Sequence, residues 1–330
     1  MSSPETGIRQ AILAKGQIIL ATHSNPDGDA LGSLLGLADI LEGMGKQVLR
    51  YLEETVSPLY RFLPGCGQTQ TDIAQVREFA DQAGDDLLVL CLDCGDVQRL
   101  GRHHEELTDL RPLMVIDHHK GNAGFGDAAW IEPHRSSTGE MIYDLAVALD
   151  ADISPRAAEC LFAAINTDTG SFRYESTSSH TFVVAGDLVR RGVRPEVIAN
   201  YLYDNYTLGR LRLMQEVLAT LEMHERDRIA VIRVTSKMLE RTFTTMADTE
   251  YFINFPRAVG TVRVAIFLKE IEPEYISVSL RAKGQCDVAQ IAARFGGGGH
   301  RNAGGCRFRG QSIDSVRDLL VELLRPEVQS

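Results

Sequence analysis

The sequence predicts an α/β protein in which an N-terminal parallel sheet carries helices on both faces. Apolar runs of four to seven residues alternate with helical patterns through the first half of the chain. This alternation is typical of a parallel sheet that is covered on both sides. The predicted strands are QIILAT, QVLRYL, DLLVLCL and LMVI, and the predicted helices lie around 31–44, 72–83, 98–108 and 137–149.

The second half of the chain has a different pattern, which predicts a smaller α+β domain. Mostly helical segments at 155–168, 178–192 and 195–222 come first. The runs RIAVIRV, TVRVAIFLKE and YISVSLRAK then have strand character, whereas DVAQIAARF and SVRDLLVELL have helical character. We therefore expect a larger domain over 1–200, a helical linker over 201–224 and the smaller domain over 225–330.

Composition and length are those of an ordinary globular protein. The chain has 330 residues, of which 44% are hydrophobic and 24% are charged, and this length suggests two domains. No run of about 18 apolar residues is present, so no membrane span is predicted. The N-terminus lacks the charged and apolar regions of a signal peptide. With six scattered cysteines, we expect a cytoplasmic protein with reduced thiols.

The net charge of −11 argues against a general nucleic-acid-binding protein. The charge is also unevenly distributed along the chain. Between Arg257 and Arg309 there are nine Lys or Arg and four Asp or Glu, which gives +5 and leaves −16 for the rest. The region 257–309 is therefore more basic than the rest of the chain.

Polar side chains that can bind a metal follow three of the predicted strands. His23 follows QIILAT, Asp93 follows DLLVLCL, and Asp117, His118 and His119 follow LMVI. The carboxyl ends of parallel strands lie along one edge of the sheet, which is where open α/β sheets bind ligands. The sequence therefore predicts that these side chains lie close together.

Three more aspartates belong to the same predicted cluster. Asp27 and Asp29 lie in THSNPDGDA, and Asp168 lies in AAINTDTGSF. Each aspartate alone is more typical of a helix cap, and a strand–turn–helix corner explains THSNPDGDA without any chemistry. Several carboxylates buried together need cations, however, and a mixed set of His and Asp ligands suits Mn²⁺ better than Mg²⁺ or Zn²⁺.

These motifs resemble those of a known enzyme family. The order HSNPDGDA, LDCGD, DHH and NTDTGSF resembles the DHH phosphoesterases, and FGGGGHRNAGG is similar to their C-terminal DHHA1 domain. The chain is most similar to the stand-alone oligoribonuclease and pAp phosphatase group within that family. The resemblance implies a phosphodiesterase and phosphatase that hydrolyses short oligoribonucleotides to mononucleotides and converts pAp to AMP.

The resemblance also implies a site with two Mn²⁺ ions bridged by Asp93. One ion would be held by His23, Asp27 and Asp93, and the other by Asp29, Asp93, His118 and Asp168. His119 would contact the phosphate or the leaving oxygen, and Asp117 would orient the neighbouring histidines. The catalytic residues would thus be His119, Asp93 and Asp117.

On the substrate side, the resemblance implies a clamp in the C-terminal domain. Its predicted members are Arg281, Gly298, Gly299, His300 and Arg301. The glycines of the run GGGGH allow backbone amides to approach an anion closely. The expected partners are short single-stranded RNA and pAp, with no membrane and with a homodimer as the assembly.

Two other functions fit parts of the same sequence. A stand-alone phosphodiesterase for cyclic or linear dinucleotides would have the same motifs and length. A non-catalytic nucleotide-binding module would be expected to lack a metal ligand, and every ligand that the resemblance implies is present in this sequence.

Overall fold

The computed structural model describes residues 3–122, 124–284 and 286–329, and it forms two compact units. The first unit is Met1–Asp204 and the second is Asn205–Ser330. No helix among the described residues is long and apolar enough to span a bilayer. The segment predicted as a linker, 201–224, is divided between the two units at residue 204. Its part in the second unit contains a helix over 208–218 and a short strand over 222–224.

A six-stranded sheet forms the centre of the first unit. Its strand order is β3-β2-β1-β4-β5-β6, and every neighbouring pair is parallel. The predicted parallel sheet is therefore confirmed. The strands are β1 (Gln17–Thr22), β2 (Gln47–Tyr51), β3 (Thr69–Gln70), β4 (Leu87–Leu92), β5 (Leu113–Asp117) and β6 (Ala128–Ile131).

Helices cover both faces of this sheet. Alternate residues of β1 belong to different apolar clusters, with Ile18 and Leu20 in one and Ile19 and Ala21 in the other. Because successive strand residues point to opposite faces, both faces are buried. The helices are α1 (Pro4–Ala14), α2 (Gly28–Gly43), α3 (Ile73–Ala83), α4 (His104–Asp109), α5 (Thr138–Ala148), α6 (Pro155–Asp168), α7 (Ser179–Arg190) and α8 (Pro195–Tyr203).

Two predicted helices are interrupted in the structure. The segment 98–108 contains a 3₁₀ turn over Val97–Leu100, then Gly101 with φ of 102°, then α4. A positive φ cannot continue a right-handed helix, so the glycine separates the two pieces. The segment 195–222 breaks after α8, and a new helix begins behind the N-cap Thr207.

The second unit contains the smaller α+β fold, as predicted. Its mixed sheet has the order β11-β12-β10-β9-β8-β7, in which only β8 and β9 are parallel. The strands are β7 (Glu222–His224), β8 (Ile229–Val234), β9 (Val264–Glu272), β10 (Tyr275–Ala282), β11 (Gly298–His300) and β12 (Ala303–Arg309). The helices are α9 (Leu208–Leu218), α10 (Ser236–Thr242), α11 (Asn254–Ala258), α12 (Val288–Ala293) and α13 (Ile313–Gln329).

Close packing of α2 against α6 brings two predicted ligands together. A Cβ atom on Gly32 would lie 2.4 Å from the carbonyl oxygen of Cys160, and one on Gly28 would lie 2.5 Å from the Thr167 side chain. The start of α2, which carries Asp29, therefore lies beside the end of α6, which carries Asp168. The small residues of α2 fix this approach.

We expect Gly32→Ala to destabilise the protein, because the added methyl group must push α2 away from the α6 backbone. Overpacking of this kind costs about 1–3 kcal/mol. Gly43→Ala is the matched control, since no atom lies within 4 Å of its added Cβ at the end of α2. Urea unfolding of both variants measures the effect, and equal stability of the two would contradict this account of the α2–α6 contact.

Candidate metal centre

Three strand ends place their polar side chains at one edge of the first unit's sheet. His23 follows β1, Asp93 follows β4, and His118 follows β5. All three are buried, with exposed fractions of 4%, 2% and 5%. The sheet thus brings together three side chains that the motif positions predicted to be ligands. Asp93 also has a φ of 53°, a left-handed conformation that is uncommon outside glycine and that occurs at functional sites.

The N-terminus of α2 contributes two aspartates in different ways. Asp27 is exposed, caps the helix, and accepts the Asp29 and Ala30 amides at 3.1 Å. Asp27 therefore caps the helix, and the same side chain also lies beside His23 and Asp93. Asp29, in contrast, is buried inside the cluster.

Backbone amides at the start of α5 hold the Asp29 carboxylate in place. The amides of Thr138 and Gly139 donate to its two oxygens at 2.8 and 2.9 Å, and the Ser33 hydroxyl donates at 3.0 Å. The positive end of a helix dipole favours a carboxylate at this position. Burial nevertheless raises the pKa of Asp29 above its ordinary value.

Asp93 lies between the two histidines. Its Oδ2 is 3.7 Å from Nε2 of His23, and its Oδ1 is 3.6 Å from Nε2 of His118. The Thr138 hydroxyl donates to Oδ1 at 3.0 Å. Burial raises the pKa of Asp93 well above its usual range, and the surrounding carboxylates, Asp29 first among them, raise it further.

Both histidines direct Nε2 at the carboxylates. Nδ1 of His23 lies 2.8 Å from the Ser24 carbonyl oxygen, and Nδ1 of His118 lies 3.2 Å from that of Arg135. A carbonyl oxygen can only accept, so Nδ1 carries the proton and Nε2 of a neutral ring offers a lone pair. This arrangement is typical of histidines that bind metals.

The potential ligand atoms form three overlapping groups that fit divalent cations. The groups are His23, Asp27 and Asp93, then Asp29, His118 and Asp168, and then Asp93, His118 and His119, each with its ligand atoms within 4.8 Å of one another. The His–Asp separations of 3.5–3.7 Å are long for hydrogen bonds. Two ligands bound to one ion at about 2.0–2.2 Å lie roughly 2.8–3.6 Å apart.

The electrostatics of the cluster also favour a cation. Asp168 is the last residue of α6, where the helix dipole is negative and disfavours a carboxylate. Its Oδ2 lies 3.6 Å from Nε2 of His118. A divalent ion would offset both the dipole and the repulsion among the aspartates, so the residues present fit a metal.

His119 is held differently from the other two histidines. Its Nδ1 lies 2.7 Å from Oδ1 of Asp117, whose Oδ2 accepts the Asn122 amide at 2.6 Å. Burial alone would raise the pKa of Asp117, but the hydrogen bond and charge of His119 contribute to lowering it to about 2. Asp117 therefore fixes the His119 ring, whose Nε2 lies 3.5 Å from a guanidinium nitrogen of Arg99.

Comparison with known proteins agrees with this geometry. Residues 17–165 match the N-terminal domain of the DHH family, and residues 242–325 match the DHHA1 domain. A Thermus thermophilus protein named bifunctional oligoribonuclease and PAP phosphatase NrnA is 30% identical over 314 residues, which cover 95% of this chain and 91% of that protein. The chain belongs to the DHH phosphoesterase family.

Two further similarities cover nearly the whole DHH chain. A Bacillus subtilis protein with the same name is 27% identical over 97% of both chains. The crystal structure of an exopolyphosphatase-related protein from Bacteroides fragilis has a TM-score of 0.90 and 28% identity, covering 99% of this chain and 98% of that one. The similarity therefore includes both units and is not confined to the metal centre.

Several residues of this DHH site were not predicted from the sequence. The amides of Thr138 and Gly139 hold Asp29, and Asn122 holds Asp117. Backbone donors leave no side-chain signature, although Ser137 followed by Glu140 is a helix-start pattern that could have located the α5 terminus. Arg99 was also missed, because it lies outside the quoted motifs.

The predicted clamp residues lie together in the second unit, which contains the DHHA1 match. Arg281 on β10 pairs with Ala303 on β12, and Gly298 and Gly299 on β11 pair with the same strand. Arg301 lies in the turn of this hairpin and donates to the Gly284 carbonyl at 3.1 Å. The side chain of His300 lies outside what the structure describes.

The run GGGGH is partly a strand, since its last three residues form β11. A Cβ atom on Gly299 would lie 2.2 Å from the Ala303 carbonyl oxygen, and one on Gly297 would lie 2.0 Å from that of Gly305. Gly299 also has a φ of 138°, which an L side chain rarely adopts. At these two positions glycine is therefore required by the close approach of β12.

We expect metal-free Asp93→Asn to be more stable than the metal-free wild-type protein at pH 8. The folded-state pKa of Asp93 is raised, so the folded protein binds the proton more tightly than the unfolded chain does. The stability contributed by Asp93 therefore falls as the pH rises above about 4, the unfolded value. The difference in the free energy of unfolding between Asp93→Asn and the wild-type protein should become smaller toward pH 4.

Urea unfolding in EDTA across this pH range measures the difference. Asp81→Asn is the control, because Asp81 is an exposed carboxylate on α3 and should show no such trend. A metal-free Asp93→Asn protein that is less stable than wild type at pH 8 would contradict the inferred repulsion.

Proposed function

We propose that this DHH protein hydrolyses short oligoribonucleotides to mononucleotides and removes the 3′-phosphate of pAp to give AMP. The observation that carries the proposal is the position of Asp93, which directs one carboxylate oxygen toward His23 and the other toward His118. A shared carboxylate between two ligand groups suits two-metal phosphoester hydrolysis. The names of the Thermus and Bacillus relatives supply the substrate class.

The proposed cofactor is a pair of Mn²⁺ ions. His23, Asp27 and Asp93 would hold one ion, and Asp29, Asp93, His118 and Asp168 would hold the other. When bound, such a pair lowers the pKa of a water molecule and stabilises the charge on a phosphoryl group. The two imidazole ligands favour Mn²⁺ over Mg²⁺, which prefers oxygen ligands.

The protein residues around these ligands have separate roles in the proposal. His119 directs Nε2 toward the substrate phosphate or leaving oxygen, because its Nδ1 is engaged by Asp117. Asp117 is itself fixed by Asn122, so the ring is oriented before substrate binds. Preorganised groups of this kind contribute to catalysis because they need little reorganisation during the reaction.

A clamp in the DHHA1 domain is proposed to bind the substrate. Arg281, Gly298, Gly299, His300 and Arg301 would hold a terminal phosphate or nucleotide. The position of Arg281 opposite Ala303, one residue beyond the β11–β12 turn, supports a common site for these groups. Cytoplasmic location and a homodimer remain part of the proposal.

Short substrates fit the charge and composition of the chain. Binding a long polymer normally uses many phosphate contacts and an extended basic or stacking surface. This chain has a net charge of −11, one Trp and 7% aromatic residues. pAp is also a suitable substrate for a small binding surface, because it is a single nucleoside with a phosphate on each side.

We expect the hydrolysis rate to fall steeply as RNA length increases. Labelled RNAs of about two to five nucleotides, a 24-nucleotide RNA and pAp should be compared at equal end concentration with Mn²⁺. A dinucleotide phosphodiesterase is the alternative, since the same metal ligands would serve it. Equal rates on the 24-mer and a trinucleotide, or cleavage of a cyclic dinucleotide alone, would refute the proposal.

We expect Arg281→Ala to lower kcat/KM on pAp by about ten- to a hundredfold, because one charge-assisted contact to phosphate is lost. Mn²⁺ binding measured by calorimetry should be unchanged. Arg309→Ala is the control, since Arg309 is exposed and stacks on Tyr275 at the other end of β10. A loss of metal binding in Arg281→Ala would show that Arg281 is no substrate clamp.

A further inference from the structure

Arg99 lies beside the metal centre but outside the motifs from which the site was predicted. It is the third residue of the 3₁₀ turn Val97–Leu100, which begins four residues after Asp93. Its backbone carbonyl accepts the Ser24 amide at 2.6 Å. The main chain therefore ties this turn to the one that carries His23, and a change of the Arg99 side chain leaves that bond in place.

The guanidinium group of Arg99 lies close to the ligands. A terminal nitrogen is 3.5 Å from Nε2 of His119, the ring nitrogen that is not engaged by Asp117.

Arg99 borders a centre that is rich in carboxylates. Within the described ranges 3–122, 124–284 and 286–329, no carboxylate oxygen lies within 4.0 Å of its nitrogens. Arg50 and Arg135 in the same unit pair with Glu42 and Glu140 at 2.6 and 3.3 Å. A guanidinium has five N–H donors, and Arg99 is only half-buried. Apart from the terminal nitrogen that contacts His119, its donors are therefore available to an anion that comes from solution.

We propose that Arg99 binds the non-bridging oxygens of the substrate phosphate at the metal centre, as a specificity and catalytic residue of the first unit. The inference rests on the proposed phosphoesterase function. A guanidinium matches two phosphate oxygens in a bidentate geometry. Beside His119, it stabilises the negative charge that the phosphoryl group carries during transfer.

Arg99→Gln has two expected effects with opposite signs. Binding of AMP to the Mn²⁺-loaded protein weakens by about tenfold or more, and kcat/KM on pAp falls by about a hundredfold, because a phosphate contact is lost. Binding of Mn²⁺ itself, measured at pH 8, tightens by about two- to tenfold, because a cation beside the site is removed. A merely structural role would weaken both.

Isothermal calorimetry with Mn²⁺ alone, and then with AMP on the Mn²⁺-loaded protein, separates these outcomes. Arg102→Gln is the matched control, since Arg102 is exposed in the adjacent turn and pairs with Glu53 at 2.6 Å. Arg99→Lys should recover only part of the AMP affinity, because lysine keeps the positive charge but cannot make the bidentate contact of a guanidinium.

The inference is overturned if Arg99→Gln binds AMP within twofold of wild type, or if its Mn²⁺ affinity falls together with its AMP affinity. Absence of AMP binding by the Mn²⁺-loaded wild-type protein would overturn it as well. Failure of the proposed function has a different signature. In that case the wild-type protein leaves short RNA and pAp intact, whereas the calorimetric comparison of Arg99→Gln with Arg102→Gln still decides the role of Arg99.

Discussion

The repulsion around the buried carboxylate of Asp93 is the constraint on which the rest of the metal centre depends. Burial and the neighbouring aspartates both raise the pKa of this carboxyl, so the ionised form is unfavourable without a cation. The fold meets this constraint with fixed donors. The Thr138 hydroxyl contacts Asp93 directly, and the α5 amides hold Asp29 beside it. These donors are too weak to replace a divalent ion, but they hold the oxygens where one can bind.

The helices contribute to the centre as much as the strands do. Asp29 and Asp168 come from α2 and α6, and the glycines at 28 and 32 allow those helices to approach closely. Without this contact, Asp168 at the negative end of α6 would lack its position beside His118. The packing of α2 against α6, directly beside these aspartates, therefore helps to determine the ligand geometry.

Much of this site could be predicted from the sequence, because strand ends in a parallel sheet share an edge. His23, Asp93 and His118 follow three apolar runs, and this rule alone places them together. The family resemblance then supplied the ligand groups. The donors that come from the backbone could not be predicted, since Gly139 acts through its amide and not through a side chain.

The fold shows the same division between what a pattern can and cannot predict. The long apolar strands β1, β4 and β5 were predicted correctly, whereas the two-residue strand β3 has too little pattern to detect. The helix expected over 98–108 is broken at Gly101, whose φ of 102° depends on the turn it occupies. The piece before this break is the 3₁₀ turn that carries Arg99. A turn that was not predicted from the sequence therefore positions the Arg99 guanidinium beside the site.

The shared position of Asp93 between two ions is the central claim, and anomalous diffraction from crystals grown with Mn²⁺ tests it most directly. Two Mn²⁺ peaks about 3.5–4 Å apart are expected, with one Asp93 oxygen bound to each and with His23 and His118 on different ions. A single peak, or two peaks of which neither contacts Asp93, would contradict it.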